Sequence, residues 1–81
     1  MDTITDFKSG ADKIDFTKLE AVKTFSFEPA EYSVWVEQDG VNAIVRVDTN
    51  GDLSGGHIAE INILLLGIDA NSLSVKDFLL A

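Results

Sequence analysis

The segment of residues 32–47 constrains the fold of this chain more than any other. Residues 32–37 alternate between two faces, which is the period of a half-buried strand. Gln38-Asp39-Gly40 follows, and Asp-Gly provides the positive φ that a tight hairpin turn needs. The return segment then has apolar side chains at every second position, namely Val41, Ala43, Val45 and Val47. A β-hairpin is therefore predicted here.

The rest of the chain also favours strands. Alternation recurs at residues 3–7, 14–16 and 25–27, and residues 58–66 are apolar on both faces, which is typical of a central or doubly covered strand. Residues 72–78 have room for one helical turn, with Ser72 or Ser74 as its N-cap. We expect an all-β fold with at most one short helical turn.

The size of the chain leaves little room for a stabilising core. A single domain of 81 residues buries roughly 60% of its unfolded surface, and such domains often need a further constraint. The chain has no cysteine, so disulfides and thiolate metal sites are excluded. Any such constraint must be a hard metal bound by oxygen, or a neighbouring segment of chain.

The charge balance excludes two classes of partner. Six basic and fourteen acidic residues leave a net charge of −8, which argues against nucleic acid and anionic membranes. The longest apolar run, residues 63–66, is far shorter than the roughly 20 residues that cross a bilayer, so no membrane insertion is expected. No cleavable N-terminal signal is visible either. The acidic surface serves either solubility or cation binding.

One polar loop has a spacing that suits calcium. Asp48, Asn50 and Asp52 present oxygen atoms at alternate positions around Gly51, and Glu60 is a further candidate ligand. Calcium takes six to eight oxygen ligands, so these side chains would need additions. The loop is not an EF-hand, because its required glycine and flanking helices are missing. An ordinary loop of Asx-turns explains the same residues and stays open as the alternative.

Three other features carry weaker signals. Residues 10–16 combine a glycine turn, Asp12 and an alternating strand, which matches part of the G-G-x-G-x-D-x-U-x calcium repeat of parallel β-rolls. His57 is the only histidine, so a multi-histidine zinc site is excluded and a small hydrolase built on this residue is the least favoured function. Trp35 is expected to pack on a sheet face, with sugar stacking as the alternative.

Residues 2–16 resemble a known family. They follow the pattern D-x-I-x-D-F-x-x-G-x-D-K-I-D-L, with Phe16 in place of the final leucine. This is similar to the segment after the last nonapeptide repeats in repeats-in-toxin (haemolysin-type calcium-binding) secreted proteins, including serralysin-type proteases. Residues 48–52 resemble the family's later D-x-N-G-D loop, and the end of the chain, Asp77 followed by three apolar residues, resembles its terminal segment.

The resemblance implies a fold and a set of partners. Residues 1–16 would form the last repeat and the end of a calcium β-roll, and residues 17–81 a small antiparallel β-sandwich or sheet that caps it. Met1 would be an introduced start codon, Asp2 the repeat aspartate, and Asp6 and Asp12 further calcium ligands. The partners would be Ca²⁺ ions, the preceding β-roll repeats, and a type I (ABC-transporter) exporter that reads an uncleaved C-terminal signal.

The implied function is that of a non-catalytic, calcium-binding C-terminal domain of a secreted, extracellular bacterial protein. The full-length protein could equally be a protease, lipase, epimerase or adhesin. Calcium would bind the folded state alone, so the domain would fold outside the cell, where calcium is abundant. The competing hypothesis is a calcium-independent β-sandwich that binds a polysaccharide or a protein partner.

Overall fold

The computed structural model describes residues 2–51 and 59–80. The described residues form short strands and two 3₁₀ turns. The strands are β1 (Asp2–Ile4), β2 (Ile14–Asp15), β3 (Thr24–Phe25), β4 (Ser33–Asp39), β5 (Asn42–Val47), β6 (Ile61–Leu65) and β7 (Phe78–Leu79). The 3₁₀ turns span Ala70–Ser72 and Val75–Asp77.

The strands form two sheets. The larger has five strands in the order β1-β6-β5-β4-β3, and the smaller pairs β2 with β7. The centre of the large sheet, β4-β5-β6, is antiparallel, whereas β1 pairs with β6 in parallel and β3 pairs with β4 in parallel. The all-β prediction is confirmed. The sheet is mixed, because both of its edge strands pair in parallel with their neighbours.

The helical content differs in detail from the prediction. One 3₁₀ turn, Val75–Asp77, lies within the predicted residues 72–78, and another, Ala70–Ser72, precedes it. The N-cap of the first turn is Asp69, whose carboxylate accepts a hydrogen bond from the Asn71 N–H, and the N-cap of the second is Ser74, as predicted. Each element is a single 3₁₀ turn, because an extended residue follows it directly. This residue is Leu73 after the first turn and Phe78 after the second.

The predicted hairpin is present. Asp39 pairs with Asn42, so the turn consists of Gly40 and Val41, with a positive φ of 62° at Gly40. Two-residue hairpin turns require positive φ at their first central position, which glycine adopts without steric cost. Val41 lies in this turn and is 80% exposed, so its expected place on the apolar face was wrong. The other apolar residues of β5 on that face are fully buried.

The core lies on one face of the large sheet. Val34 pairs with Val47, and Val45 pairs with Ile63, so side chains from three strands meet on this face. Other segments cover it with buried side chains. The core cluster contains Phe7, Phe16, Val22, Val34, Ala43, Val45, Val47, Ile63, Leu65, Leu73 and Phe78.

The opposite face holds a smaller group built around Trp35. This side chain is only 2% exposed, and its Nε1–H donates to Glu37 Oε2 at 2.9 Å. Arg46 forms an ion pair with the same carboxylate at 3.0 Å, and its Nη1 donates to Asn62 Oδ1 at 2.6 Å. Trp35 is therefore packed on a sheet face, as expected, and offers no open ring for sugar stacking.

The alternating pattern at residues 25–27 extends beyond the end of the observed strand. β3 ends at Phe25, and Phe27 is 84% exposed. The two rings meet edge to face, with centroids 5.5 Å apart. Phe25 also stacks on Phe78 at 5.5 Å, so it packs against the core while Phe27 covers its outer side.

Candidate calcium-binding loop and buried terminal carboxylate

Asp48, the first predicted ligand, lies directly after β5 and is fully buried. Its Oδ2 accepts hydrogen bonds from the Tyr32 N–H at 3.0 Å and from the Gly51 N–H at 3.1 Å. Its own N–H donates to Ser33 O at 3.1 Å. Asp48 therefore ties the loop to the beginning of β4, as an Asx-turn carboxylate does.

Tyr32 and Gly51 pack together in unusual backbone conformations. Both have a positive φ, 53° at Tyr32 and 72° at Gly51, and the Tyr32 hydroxyl donates to Asn50 O at 3.1 Å. A Cβ atom at position 51 would lie 2.4 Å from Tyr32 Cε2, which is far inside van der Waals contact. Glycine is therefore required at position 51 on two grounds, the backbone conformation and the close approach of the ring.

Glu60, which precedes β6, forms hydrogen bonds with the first residues of the loop and with the end of β5. Its Oε1 accepts the Thr49 N–H at 2.7 Å, and its N–H donates to Val47 O at 3.0 Å. These contacts place the Glu60 side chain against the loop. Two carboxylates thus organise the backbone of one turn, and their role as calcium ligands stays a prediction.

Asp2 lies near Glu60 although 58 positions separate them in the sequence. The parallel pairing of β1 with β6 places Asp2 opposite Ile63, and Asp2, Glu60, Ile61 and Asn62 line one open depression. The Asn62 Oδ1 atom already accepts a hydrogen bond from the Arg46 guanidinium. Asp2 and Glu60 are consequently the acidic groups that this depression offers to a cation.

The remaining predicted ligands are placed differently. Asp12 Oδ2 accepts the Lys8 N–H at 2.9 Å and closes the turn between β1 and β2, and Asp6 is exposed. Asp52 lies outside the described residues, as does His57. Within residues 2–51 and 59–80, no three Asp, Glu or His side chains converge as a metal would require. Asp6 and Asp12 thus do not join Asp48 and Glu60 in a single cluster.

Asp77 is a fully buried carboxylate whose structural role was not predicted from the sequence. It is 0% exposed and accepts hydrogen bonds from the Gly10 N–H at 2.9 Å, the Ser74 N–H at 2.9 Å and the Ser9 hydroxyl at 3.0 Å. Burial opposes ionisation, but these hydrogen bonds and the nearby Lys76 charge outweigh it, so the pKa of Asp77 lies below its usual value. The spacing Ser74-x-x-Asp77 is the capping-box signature that could have revealed it.

The C-terminal segment is built into the fold around this carboxylate. β7 pairs in parallel with β2, and the Phe16 N–H donates to Leu79 O at 2.8 Å. The Phe78 ring stacks on Phe16, with centroids 6.0 Å apart. The residues predicted to form an export signal therefore also make tertiary contacts with the N-terminal segment.

Comparison of this chain with known protein families, curated proteins and solved structures gives no match. None of the helical elements within the described residues is long and apolar enough to span a bilayer.

Proposed function

We propose that this chain is a non-catalytic, calcium-binding C-terminal domain of a type I secreted bacterial protein. It caps a β-roll and carries an uncleaved export signal at its C-terminus. The observation that carries the proposal is the position of β1, which belongs to the segment that resembles the family. β1 lies at the edge of the large sheet and runs parallel to its neighbour β6.

An edge strand in parallel pairing suits a capping role. Such a strand presents backbone N–H and C=O groups on its outer side, where another strand can pair. A β-roll stacks parallel strands, so a preceding repeat could add to β1 without disturbing the pairs inside the sheet. Asp2 and Thr3 are exposed in the isolated chain, in keeping with a surface that a preceding repeat would cover.

The acidic groups support the calcium part of the proposal. Asp48 and Glu60 hold one turn from two sides, and Asp2 shares a depression with Glu60. Ions that bind only the folded state stabilise it by RT ln(1 + [Ca]/Kd), about 2.7 kcal/mol at a hundredfold excess over Kd. A domain of this size has a total stability near 5 kcal/mol, so calcium would supply a large share of it.

A calcium titration followed by amide NMR tests this part. We expect calcium to move the amide resonances of residues 48–52, Glu60 and Asp2, and to raise the melting temperature relative to chelator. Asp52→Asn should weaken the response, whereas Asp39→Asn, at the exposed end of β4, should leave it unchanged. Identical spectra and melting temperatures in chelator and in millimolar calcium would exclude calcium binding by this chain.

Secretion of the full-length protein tests the export part. Deleting residues 77–81 should leave the protein inside the cell, because the acidic and apolar terminal residues would be lost. The control is Asp39→Asn in the full-length protein without the deletion, which should be secreted normally. Normal secretion of the deletion variant would refute a C-terminal export signal.

A further inference from the structure

Two segments far apart in the sequence are joined into one small unit, which we call the terminal clasp. It consists of residues 9–16 and residues 74–80. Its backbone pairing is the two-stranded sheet of β2 and β7. The hydrogen bond from the Phe16 N–H to Leu79 O extends this pairing by one residue. Lys13 Nζ adds a hydrogen bond to Lys76 O across the same junction.

The Asp77 carboxylate is at the centre of the clasp. It receives the Gly10 N–H and the Ser9 hydroxyl from the N-terminal segment, and the Ser74 N–H from its own segment. The single proton of the Ser9 hydroxyl, donated to Asp77, thus joins the two segments. Hydrogen bonds to a buried charged acceptor are stronger than those between neutral groups.

The clasp is attached to the large sheet by packing rather than by strand pairing. β7 pairs with β2, and neither strand belongs to the order β1-β6-β5-β4-β3. Phe78 instead stacks on Phe16 within the clasp and on Phe25 at the edge of the large sheet. Units with few backbone hydrogen bonds and short strands open at a lower free energy than central strands.

We propose that opening of the terminal clasp, with the five-stranded sheet intact, controls whether the C-terminal segment can be bound by another protein. When the clasp is closed, Asp77 and Phe78 are both buried and no receptor can contact them. Opening exposes both side chains at once, because they share one short strand and its preceding turn. The identity of the receptor as an exporter rests on the proposed function, whereas the opening itself does not.

Population arithmetic gives the expected size of the effect. A ligand that binds only the open form has its apparent affinity reduced by the fraction of molecules that are open. If one molecule in about a hundred is open, the receptor binds about a hundredfold more weakly than it binds the free segment. Loosening the clasp should therefore strengthen binding even though the C-terminal sequence is unchanged.

Ser9→Ala is the decisive variant, because it removes a clasp hydrogen bond and leaves residues 73–81 intact. In the unaltered chain, we expect amide hydrogen exchange at Phe16 and Gly10 to be faster than at Val45, because the clasp opens at a lower free energy than the sheet, and Ser9→Ala should accelerate exchange at Phe16 and Gly10 about tenfold. Carboxypeptidase Y should remove the terminal residues faster by a similar factor. Ser9→Thr retains the hydroxyl and should behave as the unaltered chain, and Ser26→Ala lies outside the clasp and serves as the control.

The outcomes separate the clasp from the export signal. Equal protection of Phe16 and Val45 in the unaltered chain, or no acceleration at Phe16 in Ser9→Ala, would refute the clasp as an independent opening unit. If Ser9→Ala behaves as expected but deletion of residues 77–81 leaves secretion unimpaired, the clasp stands and the export function fails. If that deletion blocks secretion but Ser9→Ala leaves exchange unchanged, the export function stands and the clasp fails.

Discussion

Gly51→Ala tests the packing of the candidate calcium loop more directly than any other single change. The added Cβ would lie 2.4 Å from Tyr32 Cε2 and 2.6 Å from its hydroxyl oxygen, at a backbone φ of 72°. Gly67 is a matched control, because its φ is 69° and nothing lies within 4 Å of the position that a Cβ would take. The two variants share the backbone strain, and only Gly51→Ala displaces the Tyr32 ring.

Backbone strain and displacement of the Tyr32 ring together give the expected difference in stability between the two variants. Left-handed backbone conformation at a residue with a Cβ costs about 1–2 kcal/mol, and Gly67→Ala should lose that amount. Gly51→Ala should lose about 1–2 kcal/mol more. The ring must leave its position, which costs the hydrogen bond from the Tyr32 hydroxyl to Asn50 O, about 1 kcal/mol, and strains the side-chain rotamer by a similar amount.

Urea unfolding monitored by Trp35 fluorescence is a suitable assay, because this buried indole becomes exposed on unfolding. With a slope of about 1 kcal/mol/M, the midpoint of Gly51→Ala should lie about 1–2 M below that of Gly67→Ala. In the background of Tyr32→Ala the ring is absent, and the two alanine variants should then lose equal stability. Equal losses in the unaltered background, or an excess that persists without the ring, would refute the steric argument.

Three further perturbations have expected outcomes. Asp77→Asn should destabilise the fold by about 1.5–3 kcal/mol at neutral pH, measured by urea unfolding, because charge-assisted hydrogen bonds are lost. Since the folded-state pKa of Asp77 is lowered, its stabilisation is present above about pH 4 and is lost as the pH falls through that lowered pKa, so thermal melts of Asp77→Asn should lose part of the acid sensitivity. Val45→Ala should cost about 2–3 kcal/mol in calorimetry, whereas Val41→Ala in the exposed turn should cost less than about 0.5 kcal/mol, and equal losses would contradict the assigned faces. Glu37→Ala should cost about 1–3 kcal/mol in urea unfolding, because it leaves the buried Trp35 N–H without its acceptor, whereas Glu37→Gln, which keeps an acceptor, should lose less.

The hairpin shows how much of the fold the local pattern could predict. Alternation over residues 32–47 and the Asp39-Gly40 pair were enough to predict two antiparallel strands, because side chains of a strand alternate between faces and glycine permits the turn. The alternating pattern did not predict that Val41 is exposed. This residue continues the alternation in sequence, but the pairing of Asp39 with Asn42 places it in the turn.

The candidate loop was predicted in composition and only partly in contacts. The closeness of Asp48, Gly51 and Glu60 was anticipated, since they flank one polar segment. The contact of Asp48 with Tyr32 and the approach of Asp2 to Glu60 were not, because each depends on which strands become neighbours in the sheet. Local spacing contains no information on such pairings.

By itself, the sequence determined the all-β class, the hairpin and its turn, the absence of disulfides and the acidic surface. These properties follow from residue types and their period along the chain. Tertiary structure alone decided the parallel edge pairing of β1 with β6 and the burial of Asp77 against Ser9 and Gly10. In the sequence, Asp77 is only the acidic residue that precedes the apolar end of the chain. It is buried because the Gly10 N–H and the Ser9 hydroxyl, 67 and 68 positions away, reach it only after the two ends of the chain have come together.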